Sequence, residues 1–153
     1  MTLTRIVIAT DFAESAERAL DYAVELARMQ GAELILLHVF AVLPAYPEMA
    51  SAQLAAIFEE QRRWVEDELE QRAQRARATG VLVRPLVRTG SPAAMIAQTA
   101  QEEGADMVVV GTHGRSGLDR LMLGSVAERT VRIAPCPVLV VKTQQHAAAA
   151  RAA

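Results

Sequence analysis

The residues best suited to chemistry in this chain lie between Gly111 and Ser125. Four of the eight glycines, Gly111, Gly114, Gly117 and Gly124, fall there, directly after the apolar and largely β-branched run Met107-Val108-Val109-Val110. Ser125-Val126-Ala127-Glu128 then opens a helical pattern, with Ser125 read as N-cap and Glu128 as its return partner in a capping box. Glycine permits positive φ and close approach of backbone to a ligand, while a helix start offers unpaired N–H groups and partial positive charge. A strand, a glycine loop and a helix start in that order suit an anion, most simply a phosphate chain. The loop is not a Walker A sequence, because no Lys follows its second glycine group. Nor is it a dinucleotide fingerprint: Gly111-x-x-Gly114-x-x-Gly117 has the wrong spacing and comes late in the chain.

Other candidates carry weaker signals. Asp11, just past the first apolar run, with Glu14 has the spacing of a helix-capping pair. Arg115 and Arg120 have the charge to neutralise phosphate, or to pair with Asp119 or Glu128. His38, inside an apolar run, reads as a satisfied core or interface histidine, and Cys136 as a small buried hydrophobe.

These residues must be positioned by one domain. A chain of 153 residues with 52% hydrophobic and 22% charged content is long and apolar enough to bury a sizeable core. Net charge −2 argues against a general nucleic-acid surface. No apolar run approaches the ~20 residues of a membrane span, and Ile6–Ala9 is too short for a signal peptide. A single cysteine excludes an intramolecular disulfide and disfavours a metal cluster; the expected compartment is a reducing cytoplasm.

Along the chain, strands are expected at Ile6–Ala9, Glu33–Phe40, Val81–Val87, Met107–Val110 and Pro137–Lys142. Between them, Ala16, Ala19, Leu20, Ala23, Leu26 and Ala27 mark one face of a first helix. A long helix over about 51–78 has apolar positions Leu54, Ile57, Phe58, Trp64, Val65, Leu69, Ala73 and Ala76. Its charged run Glu59-Glu60-Gln61-Arg62-Arg63 reads as a solvated face with i, i+4 ion pairs. Ser91-Pro92 starts a third helix, capped by Ser91, and a short fourth runs from Ser125 to about Ile133. Pro85 lacks an N–H and so belongs at a sheet edge or a bulge. The alternation implies an α/β doubly wound parallel sheet spanning 1–143, followed by an Ala-rich, disordered tail at 144–153.

Gly111-x-x-Gly114, nine residues, then Gly124-Ser125 resembles the nucleotide-binding signature of the universal stress protein family. The resemblance extends from Ile6-Val7-Ile8-Ala9-Thr10-Asp11 to Ala134-Pro135-Cys136-Pro137-Val138-Leu139-Val140-Val141. It implies an adenine nucleotide alpha hydrolase-like sheet in the order 3-2-1-4-5 with helices on both faces. It further implies ATP or another adenine nucleotide as ligand, with Mg²⁺ as a candidate companion, and a stress-response module with at most slow hydrolysis. By the same resemblance Asp11 would hold ribose or adenine, and Ala9, Thr10 and Val39 would line the adenine pocket. Gly111, Thr112, His113, Gly114, Gly124, Ser125 and Val126 would surround ribose and phosphates. The family often continues Asp-Gly-Ser where this chain has Asp11-Phe12-Ala13, which leaves the shape of that turn open. An unblunted Val138–Val141 edge, like that of family dimers, implies a homodimer. The alternative is a nucleotide-free interaction module of the same fold.

Overall fold

Strands that are buried on both faces need apolar residues at nearly every position, and that requirement selects the centre of this sheet. In the computed structural model, which describes residues 2–41, 52–112 and 123–142, the elements follow one another as β1 (Arg5–Ala9), α1 (Glu14–Gln30), β2 (Glu33–Phe40), α2 (Ala52–Arg77), β3 (Val83–Thr89), α3 (Pro92–Glu102), β4 (Met107–Gly111), α4 (Ser125–Ile133) and β5 (Val138–Val141). All pairings are parallel and the order is β3-β2-β1-β4-β5, as the family resemblance implies. Pro85 sits in the edge strand β3, opposite Leu36, where its missing N–H is tolerated.

Side-chain alternation divides the core in two. Ile6, Ile8, Leu34 and Leu36 pack with Leu20, Ala23, Val65 and Leu69 under α1 and α2. Val7, Ile35, Leu37, Val108 and Val110 pack with Ile96, Ala100 and Ala127 under α3 and α4. Glu59–Arg63 and Arg62–Glu66 form the expected ion pairs along α2. Among the described residues no helix is long and apolar enough to cross a membrane.

Several expectations are corrected. Only the later part of α2 is buried, through Val65, Leu69, Ala73 and Ala76, whereas Ile57, Phe58 and Trp64 are exposed. The cause is length: 26 helical residues span ~39 Å, and the seven residues of β3 beside them only ~23 Å. The capping box at Ser125 does not form. Gly124 is the N-cap, Ser125 is the first helical residue, and Glu128 instead pairs with Arg132 at 2.6 Å. Likewise Ala13, not Asp11, caps α1, and Ser91 occupies the N-cap of α3 without a side-chain cap bond. Cys136 is half-buried, and its surroundings push its thiol pKa up, chiefly by desolvation and secondarily through the Asp106 charge. The tail at 144–153, and Pro44 and Pro47 in the second connection, lie outside the described residues.

Candidate functional site

β1 and β4 are neighbours, yet the chain leaves them in opposite directions, β1 into α1 and β4 toward α4. The space above their carboxyl ends is therefore the switch point of the winding. A cavity of about 390 Å³ occupies it, within the range of small-ligand sites. Of the sequence candidates, Ala9, Thr10, Asp11, Val39, Gly111, Thr112, Gly124, Ser125 and Val126 all line it. His113 and Gly114, together with Arg115, Gly117 and Arg120, lie outside the described residues.

Strand lengths explain the shape. β1 ends at Ala9, in register with Leu37, while β2 continues through Phe40. Strict alternation then turns Leu37 and Val39 to the cavity and His38 and Phe40 to the opposite face. The floor is apolar, contributed by Leu37, Val39, Ile96 and Val110. Polar groups sit around it: the Thr10 backbone is pinned by its N–H donating to the Leu37 carbonyl at 2.9 Å. Asp11 Oδ1 accepts from the Ala13 N–H at 3.0 Å, leaving its other oxygen without a bond from the described turn. Thr112 N–H donates to Val141 and its carbonyl accepts from Gly124 N–H at 2.7 Å, so β4 hands directly on to the start of α4.

Sequence reasoning missed how many helix starts meet here. Ala16 in the first turn of α1, Pro92 opening α3, and Ser125, Val126 and Ala127 opening α4 all border the same space. Parallel strands with return helices place the helix N-termini at one end of the sheet, each with partial positive charge. Of the lining residues Ala16 donates its N–H to the Ala13 carbonyl and Pro92 has none, so the orphan N–H groups come from the start of α4. The Ser91-Pro92 start signal marked one of these ends, but nothing in it showed which cavity that end would face.

Gly111 has a different reason from the one its motif suggests. A Cβ there would stand 2.7 Å from Ser15 Oγ and 2.8 Å from the Ser15 backbone, so glycine is what lets β4 approach the first turn of α1. Among the described lining residues Asp11 is the only ionisable side chain, and the described residues contain no cluster of three or more His, Cys, Asp or Glu suited to a metal. The arrangement is that of a binding pocket with an apolar base, one carboxylate and a rim of helix starts.

The family model of the universal stress proteins matches residues 2–142. The chain belongs to the universal stress protein family. Universal stress protein MJ0531 of Methanocaldococcus jannaschii is 36% identical over 138 residues, covering 90% of this chain and 81% of that protein. The solved structure of MJ0577 superposes with a TM-score of 0.81 at 28% identity, covering 95% of this chain and 99% of the other. A universal stress protein solved in complex with cAMP matches with TM-score 0.65 at 28% identity, over 94% of this chain and all of that one. One from Archaeoglobus fulgidus in complex with dAMP matches with TM-score 0.67 at 25% identity, over 93% and 100%. The family fold thus accounts for the five-stranded order and for the position of the cavity at its switch point.

Proposed function

We propose that this universal stress protein is an adenine-nucleotide-binding module, with ATP as the expected ligand, and that it works through its bound state in a cytoplasmic stress response. The observation that carries this reading is the convergence of Asp11, an apolar slot and three helix starts on one cavity. The base stacks in the slot beside Val39 and Ile96. Asp11 accepts from ribose hydroxyls, and the phosphates extend toward the first turn of α4, where Ser125 and Val126 present N–H groups and Ser125 a hydroxyl. The residues fit a nucleotide better than a resident metal. Among the described lining residues Asp11 is the one carboxylate that could help hold a Mg²⁺ ion, which would take its other ligands from phosphate oxygens and water. Hydrolysis is slow at most in this reading, since fast phosphoryl transfer needs cationic clamps, metal-anchoring side chains and a positioned water, for which the sequence offers Arg115, Arg120, Ser125 and Asp11.

Relatives solved with cAMP and with dAMP support an adenine nucleotide as the class of ligand. Titration calorimetry tests the reading. Asp11→Ala is expected to weaken ATP binding by about tenfold, the loss of a charge-assisted hydrogen bond. Gly124→Val is expected to weaken it further, by filling the phosphate end. Binding unchanged in both variants would refute the assignment.

The other edge supports self-association. β5 pairs with β4 on one side only, and Leu139 stands exposed on it. A two-fold copy pairing antiparallel along Val138–Val141 covers that edge isologously. A monomeric sedimentation profile at micromolar concentration would reject the dimer.

A further inference from the structure

The turn that carries Asp11 is held in a conformation its sequence would not choose. Among the described residues Phe12 is the one non-glycine residue with positive φ, at 64°. L-residues avoid that region because Cβ crowds the backbone, and a residue found there is kept by its surroundings. Here the surroundings come from two distant elements. The His38 ring of β2 stacks on Phe12 at 4.8 Å and 17°. The Trp64 ring of α2 meets it edge-on at 5.4 Å and 77°. The Arg72 guanidinium lies 4.7 Å from the ring centroid, itself held by Glu17 and by Glu68 at 2.6 Å. His38 also grips the turn directly, its Nδ1–H donating to the Thr10 carbonyl at 2.9 Å.

The geometry divides the turn by face. Thr10 and Asp11 line the cavity, while Phe12, next in sequence, packs with the core beneath α1 and α2. Within the turn Phe12 N–H donates to Thr10 Oγ1 and Ala13 N–H to Asp11 Oδ1, both at 3.0 Å. The direction of the Asp11 carboxylate therefore follows from the backbone at residue 12, and that backbone is set by the aromatic clamp on the far side of the sheet.

We propose that Phe12 is a positioning residue for the nucleotide: clamped by His38, Trp64 and Arg72, it holds the Thr10–Ala13 turn in its left-handed form and aims Asp11 into the cavity. This rests on the nucleotide reading above. It also makes Trp64, the chain's single tryptophan, a reporter on the far side of the sheet from the ligand. Anchoring raises the population of the binding-competent turn, so its loss appears as weaker apparent affinity.

The test measures ATP affinity by calorimetry for the wild type, Phe12→Tyr, Phe12→Gly, Trp64→Leu and Asp11→Ala, and Trp64 emission on adding ATP for all of these but Trp64→Leu, each below its melting temperature. Phe12→Gly keeps the left-handed backbone accessible but removes the anchor. It is expected to bind about tenfold more weakly and to lose the ATP-induced change in Trp64 emission. Phe12→Tyr keeps the ring and is expected to retain both. Trp64→Leu alters only a half-exposed wall of the clamp; it is expected to bind roughly threefold more weakly, and it decides the matter if Phe12→Gly fails to fold. Wild-type affinity in both Phe12→Gly and Trp64→Leu, with Asp11→Ala impaired, would overturn the positioning role and leave the site standing. A wild type that binds no ATP would remove the site and the positioning role together.

Discussion

At the amino ends of β1 and β4 one carboxylate ties the strands together: Asp106 Oδ2 accepts from Thr4 N–H at 2.7 Å, Thr4 Oγ1 at 2.8 Å and Arg5 N–H at 3.0 Å. Around it Arg5 pairs with Glu33, and Arg84 with Glu33 and Glu103, so three strands and the end of α3 are laced by charge. At the carboxyl ends of the same two strands the polar groups converge on a cavity instead, with one carboxylate and several helix starts facing inward. Both ends are cut from the same parallel sheet. The difference is where hydrogen-bonding capacity is spent, on the protein itself at one end and around an open cavity at the other. Parallel winding explains the asymmetry, since it sends the helix N-termini, with their partial positive charge, to the carboxyl end.

Substitutions can break that contrast. The largest effect is expected at Gly111, where the open end meets the core. Gly111→Ala forces a Cβ to within 2.8 Å of the Ser15 backbone, and overpacking of this kind costs about 1–3 kcal/mol. Thermal unfolding should show a clearly lowered melting temperature even without nucleotide, which a purely phosphate-related glycine would not produce.

Next comes the closed end. Hydrogen bonds from the Thr4 backbone, the Thr4 hydroxyl and the Arg5 backbone hold the Asp106 carboxyl below its ordinary pKa. A carboxylate whose folded pKa is depressed contributes stability that is present above the unfolded pKa, near ~3.9, and is lost as pH falls through the folded value. Asp106→Asn should therefore melt lower than wild type at neutral pH, and the two curves should converge on acidification below that range. Nucleotide affinity should be unchanged, because the residue lies at the opposite end of the sheet.

The smallest effect is expected at Glu103→Gln. Arg84 holds the Glu103 carboxyl below its ordinary pKa, but the pair is partly solvated, and such pairs contribute about 0–1 kcal/mol. A melting-temperature loss as large as that of Gly111→Ala would show that the charge lacing does more than these contacts indicate.

The sequence made the fold legible where the physics is local. Continuous apolar runs marked the strands, the Ala16–Ala27 face marked α1, and Pro85 placed β3 at an edge. Asp11 and the described ends of the glycine loop, Gly111-Thr112 and Gly124-Ser125, share one crevice because strand order decides who neighbours whom, and the family resemblance supplied that order. What stayed hidden depends on contacts between distant residues. The left-handed turn at Phe12 is packed by His38, Trp64 and Arg72; the glycine that the family often carries there hints at the backbone form, but Phe12 itself does not announce it. Gly111 read as a phosphate residue because its motif says so, while the reason it must be glycine sits in α1. Apolar periodicity put Ile57, Phe58 and Trp64 in the core, since it cannot register that α2 outruns the strands it covers.

The most direct test of the central claim is a titration of isotope-labelled protein with ATP, following backbone amide signals residue by residue. The account predicts saturable shifts at Thr10, Asp11, Val39, Thr112 and Ser125, with Thr4, Arg5 and Asp106 unmoved. Saturable shifts centred on the amino ends of the strands, or none anywhere at millimolar ATP, would contradict it.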